Sequence, residues 1–487
     1  MRRIAIVGGG IAGLSAAYEV ARLAHDGNAV EAVVFEATAR LGGIIETVRE
    51  GGFTVEAGPD GWVTAKPWAS ELAIELGLGD ELIASNDATR KTWIYLDRKL
   101  AAMPDGLNMM VPSNLDALDG SPLFTLGAIA AYRAEPGRAD ELRAAIPDGD
   151  ESVAAFTLRH FGPEVLDRVA APLLSGVFGG DVWTLSVRAV MPGFVEMERE
   201  HGSLIAALQA GRNKRVQGEA SAIFTTLRSG VGTLIDRSAG EIPAGWLRLN
   251  TAVTALEPPT PDRAFWTVSS ASGVSHPKHV QTERFDQVFL ATELDATRRF
   301  IAGLDLEAAR LLPQESSSAV LVAFCYADAT RVPVPPGFGF LVPPSESQDV
   351  PASLLLACTF ADQKFPNRVP PGGRLIRAYF GGAAADRLAR CNNDEIAAIT
   401  RLELARILNP AGSESAPAPP PVMTLVRRLP NSLPQYAVGH LERVAEFEER
   451  MRKLPGLTVL GNALHGVGIP DLIRDARAAA RAAVVAG

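Results

Sequence analysis

The 487-residue sequence predicts an α/β protein, a doubly wound nucleotide-binding domain that is discontinuous in the chain, with a mixed-sheet domain and a helical insertion set inside it. Three observations carry that reading. The chain opens as strand, glycine turn, helix and strand; it closes as strand, glycine turn and helix; and the stretch between them changes from helical texture at about 107–211 to strand texture from about 246.

Residues 4–7 (Ile-Ala-Ile-Val) are a short β-branched run, an Ala/Leu-rich helical pattern covers 11–24, and residues 29–35 read as a second buried strand ending on Glu36. Between the first strand and the helix lies Gly8-Gly9-Gly10-Ile11-Ala12-Gly13, a GxGxxG turn in the context that gives it meaning. Gly8 permits the tight turn, Gly10 lets backbone approach a pyrophosphate, and Gly13 allows close helix–strand contact. The helix start, through Ile11 and Ala12, offers free N–H groups to the anion. Glu36 stands where a carboxylate accepts hydrogen bonds from a ribose. A glycine turn without a ligand is the plain alternative; strand, helix and acid together argue against it.

Helical patterns at 152–160 and 163–174 and a charged stretch at 196–200 fall in the insertion. Strands follow at 252–256, 266–269, 287–291, 319–326, 354–360 and 375–380, and residues 413–421 (Ser-Glu-Ser-Ala-Pro-Ala-Pro-Pro-Pro) read as a stiff surface linker. Residues 457–460, Gly461, the turn Gly466-Val467-Gly468-Ile469-Pro470 and a helix over 471–484 return to the opening domain. The expected domains are 1–86, 215–294 and 436–487 for the nucleotide fold, 87–102 and 295–435 for the mixed sheet, and 103–214 for the helical insertion.

Composition narrows the function. Hydrophobic residues at 47% and charged residues at 21% are ordinary for a globular protein, while a net charge of −9 without a basic, aromatic-rich run argues against nucleic acid. The three cysteines, Cys325, Cys358 and Cys391, show no metal or disulfide spacing, and no metal site is expected; a reducing cytoplasm fits. The first residues are too short and glycine-interrupted for a signal peptide, so no cleaved leader is expected. Apolar runs fall short of the ~20 residues of a membrane span. Peripheral contact with the inner face of the cell membrane stays open, motivated by Met109, Met110, Leu123 and Phe124 in the insertion. None of the seven histidines forms a triad or metal cluster by spacing, and His465, inside the final glycine turn, is the only one near predicted chemistry.

Further motifs sharpen the picture. Arg40-Leu41-Gly42-Gly43 follows the acidic residue directly, a turn that a nicotinamide site does not need, and Glu56-Ala57-Gly58-Pro59 comes next. Then come Gly176-Val177-Phe178-Gly179-Gly180-Asp181 with Leu185-Ser186-Val187-Arg188 and Pro192, and Gly337-Phe338-Gly339-Phe340-Leu341-Val342-Pro343. Pro434-Gln435-Tyr436, Gly439-His440-Leu441, Gly461-Asn462 and Gly466-Val467-Gly468-Ile469-Pro470-Asp471 complete the series. With these blocks in order along essentially its whole length, the chain resembles the oxygen-dependent protoporphyrinogen oxidases, the porphyrinogen branch of the flavin amine oxidase superfamily.

That resemblance implies FAD. It places Gly42 and Gly43 beside the pyrophosphate, Arg40 over the cofactor, Gly58 and Pro59 near the isoalloxazine, and the main chain of Val253 at the adenine. Gly461, Val467, Gly468 and Ile469 complete the site, with the last helix facing the flavin pyrimidine edge. It also implies a six-electron oxidation of protoporphyrinogen IX to protoporphyrin IX in haem biosynthesis, by hydride transfer to flavin N5, with molecular oxygen reoxidising the flavin to give hydrogen peroxide. No catalytic acid–base side chain is expected, only an apolar slot lined by Gly176, Phe178, Leu341 and Phe360. One departure stands out: Thr92 occupies the position where relatives often carry an Arg for a substrate propionate, leaving the adjacent Lys91 or Arg90 to serve. Coproporphyrinogen III oxidation in the same fold is the nearest alternative; an amine oxidase or carotenoid desaturase is more distant, and a non-catalytic FAD-binding partner in a haem assembly belongs to another class. The insertion is expected to meet the membrane or the next haem-pathway enzyme.

Overall fold

A computed structural model describes residues 1–214, 222–273, 279–347, 354–409 and 418–485. Residues 413–417 of the expected linker lie outside the described residues.

The founding sheet has five parallel strands, ordered Leu247–Arg248, Val30–Phe35, Arg2–Val7, Gln287–Leu290 and Leu457–Val459. Numbered along the chain this is 3-2-1-4-5, the doubly wound order, and the opening and closing segments share one sheet. A parallel sheet buries both faces. Ile4, Ile6 and Val34 pack beneath the helices Ile11–His25, Gly232–Glu241 and Ile469–Val485. Ala5, Val7, Val33 and Phe35 face an antiparallel meander of Thr251–Glu257, Trp266–Ser272 and His279–Phe285. Charge locks the two chain ends together: buried Glu19 accepts from Arg477 Nε at 2.7 Å, Arg481 Nε at 2.8 Å and Arg22 Nη2 at 2.7 Å. Burial alone would raise the Glu19 pKa, but the three arginines bring it down to about 2.

The helices Leu294–Leu304 and Leu306–Leu311 join the same core through Leu294, Ile301, Ala308 and Ala309. The boundary expected at 294/295 therefore shifts: this segment puts one apolar helical face onto the parallel sheet before the chain crosses to the second sheet.

That second sheet has seven strands, ordered Met423–Pro434, Ser316–Tyr326, Arg374–Gly381, Ala357–Phe360, Gly339–Leu341, Thr92–Leu96 and Lys99–Ala102, antiparallel except where Gly339–Leu341 meets Thr92–Leu96. Val322, Phe324, Ile376, Ala378 and Phe380 fill one face, with Ala385 of helix Gly382–Leu388 and Ile396 and Leu404 of helix Asn393–Leu408 packed on them. Part of the other face, Leu321, Ala323 and Leu375, packs on Phe53 and Val55 of a hairpin.

The helical layer begins from clear local signals. Ser152 caps the helix Val153–Phe161 by accepting from Ala155 N at 3.1 Å, and Gly162 at φ +84° ends it. Met110, Leu123 and Phe124, which suggested a membrane-facing surface, lie in the core of this layer, and Met109 packs against it. They are interior because the helices close around them. Exposed apolar side chains occur instead at Leu126, Val177 and Trp183. Among the described residues no helix is long and apolar enough to cross a membrane. Buried His160 ties the layer together, with Nδ1 2.9 Å from Glu135 Oε1 and Nε2 2.9 Å from Glu198 Oε1. Glu135 also accepts from Leu204 N at 2.8 Å, which caps the helix Leu204–Lys214.

Candidate cofactor and substrate site

Doubly wound sheets bind ligands at the carboxyl ends of their strands, where the strand order reverses. Here the reversal lies between Arg2–Val7 and Gln287–Leu290, and the glycine turn occupies it. Two of its glycines do different work. A Cβ at Gly13 would strike the Gly8 carbonyl, whereas nothing lies within 4 Å of a Cβ at Gly10, whose φ is an ordinary −74°. The chain thus leaves a cradle beside Gly10, at the start of a helix whose first N–H groups, on Ile11, Ala12 and Gly13, have no intrahelical acceptor. That is the donor set and space a pyrophosphate requires, and the residues fit FAD.

Around this cradle the turns interlock. Glu36 Oε2 accepts from Gly9 N at 2.8 Å, and Oε1 accepts from Thr38 N at 2.8 Å and Thr38 Oγ1 at 2.7 Å. A carboxylate offers about four acceptor positions, so half-buried Glu36 keeps capacity for a ribose hydroxyl. Gly42 N donates to Gly9 O at 2.8 Å, and a Cβ on Gly43 would lie 3.5 Å from Gly10 Cα. Arg40 proves to be a brace: Nη1 donates to Leu41 O at 2.9 Å and Ile45 O at 2.8 Å, and Nη2 to Gly43 O at 2.5 Å. Its guanidinium is occupied in shaping the turn. Thr251 N donates to Glu36 O at 2.8 Å, which brings the strand of Val253 alongside the acid. Gly461 follows the edge strand Leu457–Val459. Tyr436 supports the last turn, its hydroxyl donating to Asn462 O at 2.7 Å and accepting from Gly466 N at 3.0 Å, its ring stacked 4.1 Å from His440. Val467 and Gly468 lead from that turn into Ile469–Val485, where Asp471 in the first helical turn pairs with Lys66 Nζ at 2.6 Å. His465 lies outside the site, with Nε2 2.9 Å from Glu448 on the surface.

Gly58 and Pro59 sit one layer out. Gly58 is pressed so closely on Ile44 that a Cβ would strike the Ile44 carbonyl. Glu56 is buried, accepting from Val231 N at 2.8 Å and Thr47 Oγ1 at 2.6 Å. It therefore satisfies the amino end of helix Gly232–Glu241, and burial raises its pKa despite Arg368 nearby.

The substrate side follows from strand alternation. Register places Thr92 opposite Gly339, Ile94 and Ala357 opposite Leu341, Thr359 opposite Arg377, and Ala357 opposite Tyr379, so these residues share one face. Ile94, Leu341 and Phe178 pack with the helical layer, and Gly176 lies against Leu341 Cδ2, 3.6 Å from a Cβ at Gly176. Gly176, Phe178 and Leu341 are thus brought together. Phe360 is not: it is fully buried on the opposite face, its ring 6.2 Å from that of Phe340, because alternation turns Cys358 and Phe360 into the other core. Lys91 is exposed and falls in step with Trp93 and Tyr95, off the Leu341 face. Arg90 is exposed, with Nη1 3.5 Å from Asp87 Oδ2.

Two polar residues on the Leu341 face escaped sequence reasoning. Arg377 is buried, and its guanidinium carbon lies 5.4 Å from the ring centroid of Tyr379. Burial pushes the Tyr379 hydroxyl up to about 12. The available signal was parity: in Leu375-Ile376-Arg377-Ala378-Tyr379-Phe380 the two polar side chains stand two apart and so on one face. Among the described residues no group of His, Cys, Asp or Glu side chains is arranged to hold a metal.

The chain matches the family model for flavin containing amine oxidoreductase over residues 11–484. It is 30% identical over 484 residues to the coproporphyrinogen III oxidase of Bacillus subtilis, covering 98% of this chain and 97% of that one. Identity to the Staphylococcus aureus protein of the same name is 28%, covering 98% of each. The mitochondrial protoporphyrinogen oxidase of Nicotiana tabacum is 27% identical, covering 96% of this chain and 92% of the relative. A crystal structure from Exiguobacterium sp. 255-15, named for protoporphyrinogen oxidation, superposes with a TM-score of 0.81 at 27% identity, covering 100% of this chain and 99% of that one. Cyclohexylamine oxidase from Brevibacterium oxydans shares the fold, with a TM-score of 0.67 at 18% identity and coverage of 100% and 99%.

Proposed function

The chain belongs to the flavin-containing amine oxidoreductase family, with FAD as its cofactor, and from that premise we propose that it oxidises coproporphyrinogen III to coproporphyrin III in haem biosynthesis. The observation that carries the choice of substrate is the run of bacterial relatives of that name matching 97% or more of this chain. The resemblance of the motifs alone favours protoporphyrinogen IX, with the tetracarboxylate as its alternative; the names of the bacterial relatives support that alternative.

Bound FAD supplies the two-electron acceptor for each of the three oxidations between porphyrinogen and porphyrin, with oxygen as the final acceptor. The chain's own residues bind, orient and exclude water. The cradle at Gly10 and the acceptor at Glu36 take the dinucleotide. Leu341, Gly176 and Phe178 form an apolar wall against which a flat macrocycle lies, where orientation rather than acid–base chemistry lowers the barrier. Tyr379, protonated at neutral pH, serves as a hydrogen-bond donor. Thr92, on the same face as Leu341, leaves room and no fixed cation where a bulkier arginine would select a particular carboxylate.

Anaerobic mixing of the FAD-loaded protein with each porphyrinogen tests the proposal. Coproporphyrinogen III is expected to bleach the flavin band and yield fluorescent porphyrin with the higher kcat/KM. A preference for protoporphyrinogen IX reverses the substrate assignment, and a flavin that neither compound bleaches identifies a binding partner instead of an enzyme.

A further inference from the structure

Five ionisable side chains meet behind the Gly58–Pro59 turn, Glu56, Arg368 and Arg377 buried and Asp60 and Lys364 half-buried. Glu56 and Asp60 flank the turn in sequence; Lys364, Arg368 and Arg377 reach it from the second sheet and its connections. Lys364 Nζ lies 3.0 Å from Asp60 Oδ1, Arg377 Nη1 3.0 Å from Asp60 Oδ2, and Arg368 Nη1 3.6 Å from Glu56 Oε1. Arg377 Nη2 donates to the Gly58 carbonyl, and Arg368 Nη2 to Thr226 Oγ1 at 2.7 Å. Three cations meet two carboxylates, so one positive charge is left over. It lies where water is scarce, since the Arg368 and Arg377 side chains are 2% and 1% exposed. Among the described residues, Arg377 Nε and Arg368 Nη1 have no hydrogen-bond acceptor. An uncompensated buried charge is strongly unfavourable for folding, and a turn can be braced by neutral groups, as Tyr436 braces the last turn. The surplus charge therefore calls for a use beyond bracing.

The location suggests one. Gly58 rests on Ile44, which continues the Gly42-Gly43 turn, and that turn rests on Gly10. The cluster thus lies behind the outer of two stacked turns that separate it from the pyrophosphate cradle, on the side toward the second sheet. We propose that Arg377 is a positioning residue for the flavin: it fixes the Gly58–Pro59 turn through the Gly58 carbonyl, and its charge, in surplus over Glu56 and Asp60, biases FAD held against that turn toward its reduced form. Two-electron reduction with uptake of one proton leaves the flavin ring with one negative charge more than before, and a fixed cation in a dry setting stabilises the more negative state. The inference rests on FAD as cofactor and on the flavin end lying at this turn; it is independent of which porphyrinogen is oxidised.

The midpoint potential of the FAD-loaded protein, measured by equilibration with a reference dye, decides it. Arg377→Met removes the charge and keeps bulk; the ratio of reduced to oxidised flavin at a given potential should fall at least tenfold, about 30 mV for a two-electron couple. Asp60→Asn removes a negative charge and should shift the potential the other way, while Arg377→Lys returns it toward wild type. A mere brace predicts no such opposite signs, because losing either partner would loosen the same contact. Should Arg377→Met fail to fold, Lys364→Met carries the same expected sign. An unshifted potential in the charge-removing variant, or shifts of one sign in both, overturns the proposal. Absence of FAD binding by the wild-type chain would instead strike the cofactor reading itself, and a parallel FAD titration separates the two.

Discussion

At Gly10 and Gly13 one residue type answers two different demands, and the difference is measurable. Gly13 is needed by the fold, because a side chain there collides with the Gly8 carbonyl; Gly10 faces open space in an unstrained conformation. Gly13→Ala should destabilise by about 1–3 kcal/mol or more. Gly10→Ala should leave the apo-protein's thermal unfolding unchanged while weakening FAD at least about tenfold, ~1.4 kcal/mol. Thermal melts beside FAD titrations distinguish the two, and equal loss of stability would remove the cradle from the cofactor site. Glu36→Ala should weaken FAD by roughly 1.5–3 kcal/mol, read by the same titration. These positions were legible in the sequence because a glycine turn between strand and helix encodes its geometry locally. Arg40 was legible as part of the turn but not as its brace, since the carbonyls it meets are fixed only when the loop closes on itself.

At the scale of elements, legibility stopped at register. Phe360 stands in a strand the sequence located, yet which face a strand turns inward depends on its neighbours; the pairing of Leu341 with Ala357 sends Phe360 to the opposite core. His160 is a second case, an ordinary helical histidine in sequence that becomes the knot of four segments. Burial opposes its charged form, but its hydrogen bonds to Glu135 and Glu198 prevail and raise its pKa above 6.5. A raised folded pKa means that the stabilisation is fully present below about pH 6.5 and is lost as pH rises through the folded value. His160→Ala would leave two buried carboxylates facing each other, at a cost of about 3–5 kcal/mol. Urea unfolding should show that full difference at pH 6 and a smaller one at pH 9; a difference that grows with pH would mean the imidazole is neutral.

The whole molecule is held at its two chain ends. Glu19 on the first helix and Arg477 and Arg481 on the last join segments that the sequence placed in one domain from their matching patterns, though nothing in the sequence announced the ion cluster between them. With its pKa brought to about 2 from 4.5, Glu19 contributes stability above the unfolded value that is lost as pH falls toward 2. Glu19→Gln should lower the unfolding free energy at pH 7 by about 3 kcal/mol, and the gap should close on acidification; denaturant melts across pH 2–7 check both statements.

The same closure has a consequence for synthesis. The strand Arg2–Val7 is made well before its neighbour Gln287–Leu290 and the helix Ile469–Val485 that covers Ile11–His25. At roughly 5–20 residues per second, the nascent chain keeps half of its founding sheet uncovered for on the order of a minute. With the turn at Gly466–Ile469 in the proposed cofactor site, FAD would not seed folding from the front of the chain, because that turn does not yet exist. Flavin supply during expression should therefore decide how much finished protein is loaded, while the yield of folded chain follows chaperone capacity.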